Sequence, residues 1–164
     1  MPVTCIDNGM PVALVHASDL GLSGYENCET LTADSGMRQR LESIRIKAGP
    51  MMNLGDVTEK VVPKMSIVAA PVNGGSICTR TFIPHTCHAA IGALGAVSVA
   101  TACTLAGSVT ENIAVVPPSK TKAMSIEHPS GEFTVELQLD DQGNVVRSGL
   151  LRTARLLSKG ELFV

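Results

Sequence analysis

The segment Arg80-Thr81-Phe82-Ile83-Pro84-His85-Thr86-Cys87-His88-Ala89-Ala90 gathers two imidazoles, a hydroxyl and a thiol within four residues. It leaves a β-rich run, turns at Pro84 and runs into an apolar stretch, so it is expected to set these side chains at the start of a helix. The first N–H groups of a helix have no intrahelical acceptor. Together with the positive end of the helix dipole they favour a bound carboxylate and lower the pKa of a thiol. Cys87 is therefore the candidate catalytic residue, the alternative being the small buried core residue that most free cysteines are. His85 and His88 are candidate acid–base groups or donors to a substrate carboxylate, or simple caps of the helix start. Thr86, between them, joins the candidate substrate-binding residues. Zinc would accept His85, Cys87 and His88 as ligands, but Cys87 and His88, adjacent on a helix, point apart. His16 and His128 stand alone, so no metal is expected.

A second candidate is the turn Asn8-Gly9-Met10-Pro11. Asn8 and Met10 can bring an amide and backbone N–H groups onto a substrate, although an ordinary turn has the same composition. Ser130, in His128-Pro129-Ser130-Gly131, reads as a turn residue. Nothing marks any serine as the nucleophile of a Ser-His-Asp set.

The elements that must position these residues follow from periodicity. Residues 11–15 form a short apolar strand. Met37, Leu41, Ile44 and Ala48 recur at helical spacing, with Arg38, Arg40, Glu42, Arg45 and Lys47 on other faces; this amphipathic surface helix is expected to stop at Gly49-Pro50. The runs 65–72 and 76–83 flank Asn73-Gly74-Gly75 and predict a hairpin. A phosphate loop is the sharper reading of those glycines, but the Gly-Lys-Ser/Thr ending and the following helix are missing. Residues 87–105 are apolar on every side, which predicts a buried helix. A membrane span is the competing reading, opposed by the Ala and Gly content, by Ser98, Thr101 and Thr104, and by the lack of a basic flank. Strands are expected over 113–116, 123–127, 133–139 and 145–157, with period-two alternation clearest from Phe133 to Leu139.

The resulting expectation is an α+β domain covering residues 1–164, with one real core. That core must be made of Val, Ile, Leu, Ala and Met, because the chain is 45% hydrophobic but has one Tyr, three Phe and no Trp. A net charge of −2 with scattered Lys and Arg excludes the electrostatic footprint of a nucleic-acid binder. Five cysteines without a C-x-x-C pair are unlike a secreted disulfide framework and suit a reducing cytoplasm. The amino terminus has neither the basic nor the apolar region of a signal peptide. It begins almost inside a strand, whereas residues 156–164 run out normally, so a missing upstream part is expected.

Several segments then fall into a familiar order: Cys5-Ile6-Asp7-Asn8-Gly9-Met10-Pro11-Val12, Leu54-Gly55-Asp56-Val57, Pro84-His85-Thr86-Cys87-His88, Ile126-Glu127-His128-Pro129-Ser130-Gly131, and Arg152-Thr153-Ala154-Arg155 with Gly160-Glu161. Together they resemble the 2-methylaconitate isomerase and 4-oxalomesaconate tautomerase family along nearly the whole chain. The resemblance implies a fold like diaminopimelate epimerase: two lobes, each a strongly curved, mostly antiparallel sheet wrapped around a central buried helix, with the active site between them. This chain matches the second lobe. The resemblance sets Cys87 close to one catalytic cysteine of the epimerases, with a small gap counted from Arg80. It sets Asn8 to Pro11 near their substrate-contacting Asn-Pro-His turn, with Gly9-Met10 intervening. The lysine and cysteine usually proposed for proton transfer in the methylaconitate-type enzymes lie in the first lobe, which leaves open whether Cys87 transfers protons or only lines the site.

The implied reaction moves a proton and a double bond in a small di- or tricarboxylate, without metal or organic cofactor. The implied partner is a matching amino-terminal lobe, and an exposed apolar face predicts a homo-oligomer. Two other functions remain open at this stage: a stand-alone carboxylate-binding module without turnover, and an amino-acid epimerase lobe.

Overall fold

The structure, a computed structural model, describes residues 1–161, so the last three positions of the expected carboxy-terminal run-out lie outside the described residues. Seven strands form one sheet in chain order: β1 (Thr4–Asp7), β2 (Pro11–His16), β3 (Lys64–Ala69), β4 (Ile77–Phe82), β5 (Thr121–His128), β6 (Gly131–Leu139) and β7 (Val145–Leu150). Pairs β2–β3 and β4–β5 are parallel and the other neighbours antiparallel. The parallel pairs coincide with the two long crossovers. One carries the helices α1 (Cys28–Ala33) and α2 (Ser35–Met51), the other α3 (Ala93–Ala102).

Helix α3 packs against β1, β2, β5, β6 and β7. A flat sheet of this order could not bring its first and last strands to one helix, so the sheet curls around α3. This is the strongly curved sheet around a central helix that the resemblance implied. Val97, Val99, Ala100 and Ala102 meet Val12, Leu14, Met124, Ile126, Val135 and Leu137 on the inner face. Burying a valine there contributes roughly 2 kcal/mol. The outer face forms a second core, in which Ala13, Val15, Met65 and Ile67 pack with Leu31, Met37 and Leu41.

Helix α2 starts as the sequence predicts, with the Asp34 carboxylate accepting the Met37 N–H at 2.9 Å. It does not stop at Gly49-Pro50 but continues to Met51, and Met52 donates to the Ala48 and Gly49 carbonyls. Pro50 cannot donate to the Ile46 carbonyl, and the helix ends one residue later. Gly49 is there for packing, since a Cβ at that position would lie 2.5 Å from Val57 Cγ1. Arg45, expected on a surface face, is fully buried. It bonds Glu42 twice at 2.7 Å and donates to the Val57, Lys60 and Val62 carbonyls. The loop after α2 is thus tied to the helix through one guanidinium.

The 65–72 and 76–83 hairpin forms as β3 and β4. In its turn the Val72, Asn73 and Gly75 N–H groups all donate to the buried Glu127 carboxylate, at 2.9, 2.7 and 2.8 Å. The glycine-rich turn therefore does hold an anion, but that anion is the chain's own side chain. Residues 113–116 are not a strand: Ile113 and Ala114 close turns on Thr110, and Val115 makes a single bond to Ser76 O. Pro117 and Pro118 remove the next two ladder donors. The last strand ends at Leu150, seven residues short of the predicted run. Among the described residues no helix is long and apolar enough to cross a membrane.

Candidate functional site

The buried helix predicted over 87–105 begins only at Ala93, so Cys87 is not at its head. After β4 the chain turns back on itself. Ile83 N–H donates to Thr86 O at 3.1 Å, Phe82 and Cys87 form an isolated bridge, and His88 N–H returns to Thr81 O at 2.9 Å. Backbone pairing with the end of β4 thus wins over helix formation for residues 86–88. The Ser130 hydroxyl and N–H both donate to Ala89 O, at 2.6 and 2.9 Å, and clamp the far side of this turn.

Cys87 belongs to the outer core, beside Cys28, Cys78 and Phe82 and on the opposite face of the sheet from α3. Its N–H donates to Thr32 Oγ1 at 3.2 Å. Burial, reinforced by the adjacent Cys28 thiol and opposed by Arg80, pushes the Cys87 thiol up to about 12. It is protonated at neutral pH, the reverse of the activated thiolate expected at a helix start. His85 Nδ1 lies 3.5 Å from Glu42 Oε2 of α2 with its side chain half exposed. Thr86 borders a shallow outer depression with Cys87, and His88 is exposed to solvent. These four residues do not converge on one point.

The Asn8 turn lies on the inner side. Asn8 N–H donates to Ser98 Oγ at 3.1 Å, and its amide donates to Thr101 Oγ1 at 2.9 Å and Ser148 Oγ at 3.2 Å. The Ser98 hydroxyl donates in turn to Met10 O at 2.7 Å. The polar residues of the otherwise apolar α3 therefore anchor this turn, and Asn8 is committed to that anchorage. Gly9, at φ 97°, carries the left-handed step and passes over Leu94.

Met10 contributes to a cleft at the head of α3, with about 250 Å³ of free space between Val12, Lys64, Thr81, Ile83, Ile91 and residues 92–95. The first-turn N–H groups of Ala93, Leu94 and Gly95 have no intrahelical acceptor, and Gly92 offers no side chain to cap them. Lys64, first residue of β3, brings a cation to the same cleft. Partial burial, and secondarily Arg45, lower its pKa from the ordinary lysine value. Among the described residues no carboxylate pairs with it. The deeper Ser66 and Thr81 hydroxyls bond each other at 2.8 Å. A cation and a helix amino terminus around a mostly apolar cleft form an environment for a carboxylate on a small carbon skeleton.

Sequence reasoning missed Lys64 because it reads as the edge of an apolar strand. The available signal was a lysine directly after Pro63, opening a run otherwise free of charge. It missed the true head of α3 because glycine is a quiet cap beside Ser, Thr or Asp.

Comparison with known proteins agrees with this fold. The sequence profile of the family described as PrpF protein matches residues 1–164. A (4E)-oxalomesaconate Δ-isomerase of Novosphingobium sp. is 55% identical over 164 residues, covering 100% of this chain and 46% of that protein. A 4-oxalomesaconate tautomerase of Pseudomonas putida is 58% identical over 158 residues, covering 96% of this chain and 44% of its own length. The solved structure of a methylitaconate-delta-isomerase superposes with a TM-score of 0.83 at 20% identity, over 96% of this chain and 45% of that one. At that identity the likeness speaks for the fold, which is the expected α+β, epimerase-like lobe. The chain spans slightly under half the length of the curated relatives it matches. With the profile covering it from end to end, the chain belongs to the PrpF family.

Proposed function

We propose that this chain is the second lobe of a cofactor-independent isomerase that shifts a proton and a double bond in a small di- or tricarboxylate of the oxalomesaconate type. The cleft at the head of α3 binds one substrate carboxylate, and the active site is completed by a matching amino-terminal lobe. The observation that carries this reading is the juxtaposition of Lys64 with the uncapped first turn of α3. Removing a proton α to a carboxylate moves an electron pair onto that carboxylate. N–H groups and a cation already aimed at it stabilise the charge without reorganising. The proton returns at a different carbon and the double bond moves with it. In this reading Met10 and Ile83 exclude water from the carbon skeleton, and Cys87, held protonated on the outer face, takes no part in proton transfer. The relatives named as oxalomesaconate isomerase and tautomerase support the substrate class. The five free thiols suit a reducing cytoplasm.

The test is an amide NMR titration of the chain with citrate, a tricarboxylate that cannot undergo the shift. Perturbations are expected at Ala93, Leu94 and Gly95, and they should disappear in Lys64→Met. Perturbations confined to residues 85–88 would move the site back to the Cys87 turn and contradict this assignment.

A further inference from the structure

Outside the α3 cleft, a pair of thiols lies in contact on the opposite face of the sheet. Cys28 opens α1 and Cys87 lies in the turn after β4, 59 positions away in sequence, yet their Sγ atoms are 3.4 Å apart. Among the described residues this is the one pair of cysteines whose thiols hydrogen-bond each other; Cys5 is exposed, and Cys78 and Cys103 are buried. The two thiols differ in access. Cys87 is only 5% exposed, whereas Cys28 is partly exposed at a depression of about 420 Å³ formed with Glu29, Thr32, Ala33 and Thr86. The structure already holds the pair in place from both sides: Cys87 N–H donates to Thr32 Oγ1 of α1, and the Cys28 thiol donates to His88 O at 3.3 Å. A disulfide needs the sulfurs to close to about 2.05 Å, so their separation must shorten by little more than an ångström.

We propose that Cys28 and Cys87 form a reversible intrachain dithiol–disulfide site that takes low-molecular-weight disulfides such as oxidised glutathione. The more accessible Cys28, as thiolate, attacks one sulfur of the reagent and expels one glutathione thiolate, giving a mixed disulfide. Cys87 gives up its proton to solvent and attacks Cys28 Sγ, and the second glutathione thiolate leaves. The protein loses two electrons and two protons, and the reagent gains both as two thiols. The product staples α1 to the turn between β4 and α3 and closes a long loop, which restricts the unfolded chain. It also removes the thiol donor that held the His88 carbonyl. Nothing in this proposal depends on which substrate the α3 cleft binds.

The test treats the reduced full chain with oxidised glutathione, alkylates remaining thiols under denaturing conditions, and reads the intact mass and a non-reducing peptide map. The expected product lacks the mass of two hydrogens, carries three alkylated thiols instead of five, and contains a linked Cys28–Cys87 peptide pair. Its thermal midpoint lies above that of the reduced chain, and dithiothreitol reverses the rise. Cys5→Ser should keep the loss of two hydrogens, the linked Cys28–Cys87 peptides and the rise in midpoint, with two alkylated thiols instead of four, and Cys28→Ser, at a partly exposed site, should lose all of these changes. Three results would each overturn the proposal: Cys28 and Cys87 both fully alkylated once Cys5 has formed a mixed disulfide, a Cys28–glutathione adduct that never resolves, or cross-links only between chains.

Discussion

Lys64 and Arg45 show how differently two cations are used in one lobe. All three guanidinium nitrogens of Arg45 are engaged, and replacing it with Met strands the Val57, Lys60 and Val62 carbonyls and the Glu42 carboxylate. Arg45→Met should therefore lower unfolding stability by roughly 3 kcal/mol in urea denaturation. The Arg45 guanidinium holds the Glu42 carboxyl below its ordinary range. A depressed folded-state pKa gives stability that is present above the unfolded value and lost as pH falls through the folded one. The gap between wild type and Arg45→Met should thus narrow between about pH 5 and pH 3. A gap constant over that window would mean that the ion pair adds nothing. Lys64, which pairs with no carboxylate among the described residues, is proposed to act on substrate. In a complete enzyme Lys64→Met should lower kcat/KM tenfold or more, a loss of about 1.4 kcal/mol of transition-state stabilisation, with kcat falling as well as KM rising. Neither role could be read from the sequence. Arg45 occupied a helix position that periodicity assigned to solvent, and its partners are backbone carbonyls that only the folded loop brings near.

Elements were more legible than residues. The strands corresponding to β2 through β6 and the α2 helix follow from patterning: β6 and α2 show the period of an element with one buried face, while β2, β3 and β4, buried on both faces, read as continuous apolar or β-rich runs. The head of α3 did not, because two forces absent from a periodicity argument decide it. Residues 86–88 satisfy their backbone by pairing with the end of β4, and Gly92 begins the helix without a side-chain cap. That displacement leaves Cys87 in the outer core, on the face of the sheet opposite α3. The β3–β4 turn forms as read, but its anchor was not legible, because Glu127, far along the chain, supplies the carboxylate that its N–H groups hold. A Cβ on Gly75 would stand 2.6 Å from Glu127 Cγ and 3.0 Å from Ser125 O. Gly75→Ala should accordingly cost roughly 1–3 kcal/mol of stability, measured by thermal or urea unfolding, through strain in that turn. An unchanged midpoint would show that the Glu127 cap yields easily.

At the scale of the molecule, one sheet curled around one helix leaves apolar side chains in the open. Leu151, Leu156 and Leu157 are 69%, 80% and 86% exposed and follow β7 outside any helix or strand. Such a run calls for a partner surface, as the proposed amino-terminal lobe would supply. The lobe alone is expected to self-associate in light scattering, and adding its partner should replace that species with a one-to-one complex. The most direct measurement is turnover of 4-oxalomesaconate, followed by ultraviolet absorbance, with this chain alone and then with a matching amino-terminal lobe. The account predicts negligible conversion by the chain alone and conversion by the mixture that falls sharply in Lys64→Met. Full activity without the partner, or a mixture indifferent to Lys64→Met, would contradict it.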